Sequence, residues 1–185
     1  PPRGRNVVLL AASLFFYSWG APRFVLVLSA ATWVDWRRSQ AIAAAPPSST
    51  RRRQWLAGSL VVNLGLLGWF KYANFAAAQV GSLCAALGCE IGPWVEVALP
   101  LGISFFTFHK ISYVVDVYRG VSAPAPSFPL CLLYICLFPH LIAGPIVRYR
   151  DVDRQLLERV HTADRFLSGV CRFCLGLAKK VLVAN

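Results

Sequence analysis

The stretch Leu99-Pro100-Leu101-Gly102-Ile103-Ser104-Phe105-Phe106-Thr107-Phe108-His109-Lys110-Ile111-Ser112-Tyr113-Val114-Val115-Asp116-Val117-Tyr118 decides how this chain is read. It is apolar enough to leave water, yet it carries His109, Lys110 and Asp116, and Pro100 and Gly102 near its start would open or bend a helix. His109 and Tyr113 are one helical turn apart and share a face. Lys110 and Asp116 point to roughly opposite faces and are not expected to pair with each other. Polar groups in an oily helix persist only where neighbouring protein or a wet cavity satisfies them.

The flanks carry the same signature. Of 185 residues, 57% are apolar and only 15% charged, and the mean hydropathy is +0.55. Soluble domains lie near 45–50% apolar on a broader count, and a chain of 20.4 kDa has too little interior to hide this much oil. The reading is an all-α, polytopic integral membrane protein with short and broken helices, some of them candidates for re-entry. The net charge of +11 is spread along the chain: eight basic against one acidic residue in 1–70, three against three in 71–126, and eight against four in 127–185. A nucleic-acid reader would gather that charge on one soluble face, so no nucleic-acid partner is expected. Charge at the ends of apolar runs is a topology signal and an attraction to anionic lipid headgroups, which makes membrane lipid an expected partner.

Residues 7–19 and 24–36 read as two short elements hinged at Gly20-Ala21-Pro22. Residues 39–54 read as a loop, cytoplasmic because five arginines lie between 37 and 53. A span follows over 55–70, with Trp55 and Trp69 as interfacial anchors, Asn63 turned toward protein and Lys71 reaching the far headgroups. Residues 75–87 read as a separate small-residue helix, 88–93 as a turn, 94–118 as a polar-bearing span, and 128–146 as a span interrupted late by Pro139, Gly144 and Pro145. An amphipathic interfacial segment over 148–164 and a last helix from 163 or 164 through 182 complete a count of four to six membrane-embedded helices. The chain opens on Pro1-Pro2-Arg3-Gly4-Arg5 and contains no methionine. It is therefore expected to be a piece of a longer protein.

Candidates for chemistry are few. His109 reads as a hydrogen-bonded structural histidine, a lining residue of a substrate passage or a direct proton-transfer group. His140, in Phe138-Pro139-His140-Leu141-Ile142-Ala143-Gly144-Pro145, sits where two prolines and a glycine would break a helix against a cavity, and reads as a cavity-lining residue or a structural cap. His161 lies in a polar stretch and reads as solvated or interfacial. The six cysteines, spaced as Cys84/Cys89, Cys131/Cys136 and Cys171/Cys174, lie in apolar surroundings and read as helix filler, with no metal site expected. Gly102-Ile103-Ser104 lacks the second glycine of a nucleophile elbow, and no zincin, phosphate-loop or Rossmann pattern occurs. A transporter or channel subunit, with broken helices lining a polar passage, is the alternative class.

Two motifs go further. Residues 99–120 closely resemble a signature of the membrane-bound O-acyltransferases, in the branch of the alginate O-acetyltransferase type. Phe138-Pro139-His140-Leu141-Ile142-Ala143-Gly144-Pro145-Ile146-Val147-Arg148-Tyr149 resembles that branch's second signature. Leu14-Phe15-Phe16-Tyr17-Ser18-Trp19, Phe70-Lys71-Tyr72-Ala73-Asn74-Phe75 and Gly176-Leu177-Ala178-Lys179-Lys180 support it in the same order. The resemblance implies that residues 1–185 are the N-terminal fragment of a single multi-helix enzyme domain in a bacterial inner membrane. That enzyme would move an acyl group, usually acetyl, from a donor such as acetyl-CoA or an acyl carrier onto hydroxyls of an exported polysaccharide or cell-surface glycan. Accessory acetylation proteins at the extracytoplasmic face are the implied partners, and no bound cofactor is implied. His109, His140 and Arg148 are candidates for lining the substrate passage, with Pro100, Gly102, Pro139, Gly144 and Pro145 shaping it. The family's proposed catalytic histidine lies in a tryptophan- and arginine-rich motif after the matched region, and no Arg-Trp-His sequence occurs here. None of the three histidines inherits that role, and the fragment alone is expected to be inactive.

Overall fold

The computed structural model describes residues 2–89, 92, 94–139, 141, 144–158 and 162–183. Among them are seven helices and no strand: α1 Pro2–Gly20, α2 Phe24–Ala44, α3 Thr50–Ala86, α4 Ile103–Tyr118, α5 Phe128–Cys136, α6 Tyr149–Leu157 and α7 Ala163–Val183. The hinge expected at 20–22 is the turn between α1 and α2, closed by the Phe24 amide donating to Ala21 O at 3.0 Å.

The expected loop over 39–54 is much shorter. Helix α2 continues through Gln40, Ile42 and Ala44, because alanine-rich sequence favours helix and Ile42 is buried. It stops at Ala45, extended at φ −85° and ψ 146°, as a residue before a proline must be. Helix α3 then starts at Thr50, with Ser49 Oγ capping the Arg52 amide at 3.3 Å. Only 45–49 connect the two helices. The two separate elements expected over 55–70 and 75–87 are also corrected: nothing between them breaks a helix, and α3 runs unbroken for 37 residues, about 55 Å. Among the described residues it is the one helix long and apolar enough to cross a membrane by itself.

Asn74 explains where the chain goes after α3. Its amide accepts from the Val97 N–H at 2.9 Å and the Trp94 indole at 3.1 Å, and donates to Val97 O at 2.8 Å. The segment 94–100 is thereby held extended against α3. The expectation of helix from residue 94 is corrected, since α4 begins only at Ile103, after Gly102 at φ +71°. Its other end is closed at Gly120, also at φ +71°. There the Val121 N–H reaches Asp116 O at 3.0 Å and the Gly120 N–H reaches Val117 O at 3.1 Å, the paired bonds of a glycine C-cap.

Successive helices alternate in direction, so their termini gather at two ends. At one end, Arg52 donates to the carbonyls of Val117 and Tyr118, and the Trp36 indole and Gln40 amide both donate to Ala125 O, at 3.0 and 2.8 Å. Asn6 donates to Leu156 O at 2.7 Å. The starts of α1, α3 and α5 and the finishes of α2, α4 and α6 therefore share this end. At the far end, Gly20 lies against Leu101, and the rings of Phe24 and Phe70 meet edge-on at 5.6 Å. The core between them is built on Tyr17, Leu28, Phe106, Tyr113, Leu133 and Tyr134. Helix α7, expected from 163 or 164, is exposed at every described position.

The span expected over 128–146 is corrected most sharply. Helix α5 has nine residues, about 14 Å, and ends before Pro139, whose ring disfavours helix at the preceding residue. Phe138 reaches Ser13 Oγ with its amide at 3.4 Å and packs on Phe16, with centroids 6.1 Å apart. Ser13 is about 16 Å along α1 from Pro2. The chain then returns: Tyr134 donates to Val147 O at 2.7 Å, and Leu156 lies beside Asn6 at the starting end. The described residues between 128 and 157 thus enter from one end, reach part-way through the bundle and leave by the same end. The amphipathic segment expected over 148–164 is helical as α6, from Tyr149 to Leu157.

Candidate functional site

Two features concentrate chemistry. The first is a polar cluster sealed between α2, α3 and α4. Asp35, Ser59, Asn63 and Lys110 are all buried. Ser59 and Asn63 are four residues apart and so share a face of α3. Ser59 Oγ donates to Asp35 Oδ1, and the Asn63 amide spans both carboxylate oxygens at 2.9 and 2.8 Å. Lys110 Nζ stands 3.8 Å from Asp35 Oδ2 and 5.4 Å from the Phe106 ring centroid. A lone buried charge would be costly, whereas this carboxylate is neutralised and hydrogen-bonded. One turn on from Asp35, Ser39 and Tyr113 share a hydrogen bond of 2.8 Å, and the Ala125 N–H donates to the same phenol oxygen at 3.0 Å. The cluster therefore fixes the relative register of three helices and the loop before α5.

The sequence reading placed Asn63 toward protein, and so it lies. Asp35 falls at the end of the element expected over 24–36, and neither it nor Ser59 stands out there as a site residue. A signal was present: Asp35 is the only acidic residue in the first 70, and Ser59 and Asn63 are polar positions one turn apart in an apolar run.

The second feature is the hairpin of α5, its return and α6. His109 is buried on α4, with Nδ1 2.8 Å from Phe105 O and its ring edge-on to Tyr134 at 5.9 Å. Tyr134 carries the bond to Val147 O, and the residue after Val147 is Arg148, exposed at the N-cap of α6. Of the passage candidates, His109 and the backbone beside Arg148 are therefore linked through one tyrosine. His140 and His161 lie outside the described residues. Tyr149 meets Tyr113 and Tyr134 edge-on, with centroids 5.1 and 5.2 Å apart, and Tyr113 and Tyr134 are tilted at 6.4 Å, which seats the return segment against α4 and α5. Pro139, Gly144 and Pro145 fall in the non-helical part of the hairpin, and Gly144 adopts φ +133°, open to glycine alone. Pro100 and Gly102 lie at the opening of α4. Cys131 and Cys136 are buried along α5, among core side chains.

The chain is similar over its whole length to proteins named as O-acetylases and O-acetyltransferases. It is 39% identical over 185 residues to the probable alginate O-acetylase AlgI of Azotobacter vinelandii, covering 100% of this chain and 37% of that protein. It is 38% identical over 183 residues to the probable alginate O-acetylase AlgI of Pseudomonas aeruginosa, covering 99% and 35%. It is 28% identical over 204 residues to the peptidoglycan O-acetyltransferase of Helicobacter pylori, covering 96% and 38%. The chain thus spans little more than a third of the length of these relatives. No family model matches it, and no solved structure does.

Proposed function

We propose, because this chain belongs to the membrane-bound O-acyltransferase family, that the full-length protein is a polytopic membrane enzyme that transfers an acetyl group to hydroxyls of an exported polysaccharide. In that reaction a hydroxyl oxygen bonds to the acyl carbon of an activated donor such as a thioester. The carbon–sulfur bond breaks, the hydroxyl proton passes to a base that titrates near neutrality, and that proton goes on to the departing thiolate, which leaves as a free thiol. That base lies outside this chain, whose residues form the scaffold and one wall of the passage.

The observation that carries the assignment is similarity along the whole chain to relatives named for O-acetylation of alginate and peptidoglycan. The hairpin supports the passage. Non-helical backbone at membrane depth is tolerated only where protein or water covers it; Phe138, Pro139, Gly144, Pro145 and Ile146 are exposed here, while Leu141 between them is buried in the core. We assign the hairpin return to the wall of a hydrated path, with His109 held behind it.

The test is acetyl transfer by the full-length protein in membrane vesicles, with labelled donor and a polymannuronate acceptor. Label on the polymer is expected. Flux of polymer or ion without donor-dependent labelling would replace the enzyme reading with transport.

A further inference from the structure

We propose that the sector formed by the finish of α2, the start of α3 and the finish of α4 is a binding surface for the phosphates of anionic membrane lipids. Hydropathy along the chain scatters its arginines, but the alternating helices collect them. Arg37 and Arg38 near the finish of α2, Arg51, Arg52 and Arg53 at the start of α3, and Arg119 after α4 come to one end, which also receives Arg5 at the start of α1. The far end of the same helices carries Arg23 and Lys71.

The arginines of this sector divide into two sets. Arg52 is spent inward, donating to the Val117 and Tyr118 carbonyls with its guanidinium carbon 5.2 Å from the Tyr118 ring centroid. Arg38 lies along the space left by Gly58, where an added Cβ would stand 3.2 Å from its guanidinium. Arg37, Arg51, Arg53 and Arg119 are exposed, and no ion pair among the described residues involves them. The sequence holds no acidic residue from 36 to 89. The two carboxylates within the sector's helices, Asp35 and Asp116, are buried. Helix α6 brings Asp151, Asp153 and Glu158 to the same end with Arg150 and Arg154, so its charges of both signs bias it little.

Exposed Trp33 and Trp55 lie one helical turn from Arg37 and Arg51, and the Arg37 guanidinium carbon stands 6.0 Å from the Trp33 ring centroid. Indole rings settle at headgroup level, so they set these arginines at the depth of lipid phosphates. The guanidinium fork matches phosphate oxygens two at a time. Charge complementarity commits the surface to anionic lipid. This inference rests on the membrane placement above but not on the transferase reading, because lipid retention is measured without donor or acceptor.

The experiment uses the full-length protein in detergent, with phosphatidylglycerol, phosphatidylcholine or inorganic phosphate added. Retained lipids are counted by native mass spectrometry, and the shift in thermal midpoint is followed. Preferential retention of phosphatidylglycerol is expected, with Arg53→Gln lowering that preference by up to roughly fivefold. The combined Arg37→Gln, Arg51→Gln, Arg53→Gln, Arg119→Gln protein is expected to lose the preference, while Arg23→Gln with Lys71→Gln keeps it. Should the combined variant fail to assemble, the single Arg51→Gln and Arg53→Gln proteins carry the same comparison. Equal retention of the two lipids by the wild-type protein, an unchanged preference in the arginine variants, or equal stabilisation by inorganic phosphate alone would overturn the proposal.

Discussion

Lys110 on α4 and Asp35 on α2 stand 3.8 Å apart, each side chain 1% exposed, with Ser59 and Asn63 of α3 completing the shell of the carboxylate. Breaking such a pair by removing one partner leaves an uncompensated charge, at about 3–5 kcal/mol. Asp35→Leu and Lys110→Met are each expected to lower the thermal midpoint of the full-length protein and its abundance in membranes. The double variant is expected to recover part of the loss and not all of it, because Ser59 and Asn63 then lose their acceptor. A double-mutant cycle read by thermal unfolding in detergent checks this, and strictly additive losses would contradict it.

Two glycines give opposite expectations. Gly120 closes α4 at φ +71°, where an added Cβ meets no atom within 4 Å, so only backbone conformation opposes a side chain. Gly120→Ala is expected to destabilise by about 1–2 kcal/mol. Gly81 lies inside α3 with equally open surroundings, and Gly81→Ala is expected to stabilise by about 0.5–1 kcal/mol. The signs of the two midpoint shifts are the measurement.

Tyr134→Phe removes the hydroxyl that holds Val147 O at 2.7 Å while keeping the ring packed between His109 and Tyr149. Membrane abundance is expected to be unchanged. Polymer acetylation is expected to fall by roughly tenfold or more, since small displacements of a path wall are expensive in transfer reactions. Equal activity at matched abundance would detach the hairpin from the passage.

Orientation follows from the arginine distribution. A cysteine introduced at Ser48, in the short connection between α2 and α3, is expected to react with a membrane-impermeant maleimide in inverted vesicles and not in intact spheroplasts. Gly92, beyond the other end of α3, is expected to give the reverse pattern. The native cysteines are replaced by alanine in both proteins.

Legibility in the sequence depended on how local the cause was. The turns at 20–22 and after Tyr118 are set by glycine and proline, and the start of α7 is marked by a break in polarity, so all three were readable. The inward aspect of Asn63 was readable because an amide in an apolar run has nowhere else to go. The continuity of α3 was not, because a lysine and an asparagine in mid-run look like a boundary. Only the fold shows that Asn74 is occupied by Trp94 and Val97. The partner of Lys110 was hidden for a related reason: Asp35 lies 75 residues earlier and sits beside two arginines that look like its natural neighbours. The length of α5 was overestimated because hydropathy registers the oil of residues 128–146 but not the direction the chain takes after Pro139.

That change of direction has an electrical consequence for a protein placed in a bilayer. Helix α5 covers about 14 Å of an oily slab about 30 Å thick, so water following the return strand would thin the insulating layer to about half. The self-energy of a charge is greatest at the middle of such a layer and falls as the layer thins. A charged group at the bend would then meet a lower barrier than the full thickness imposes.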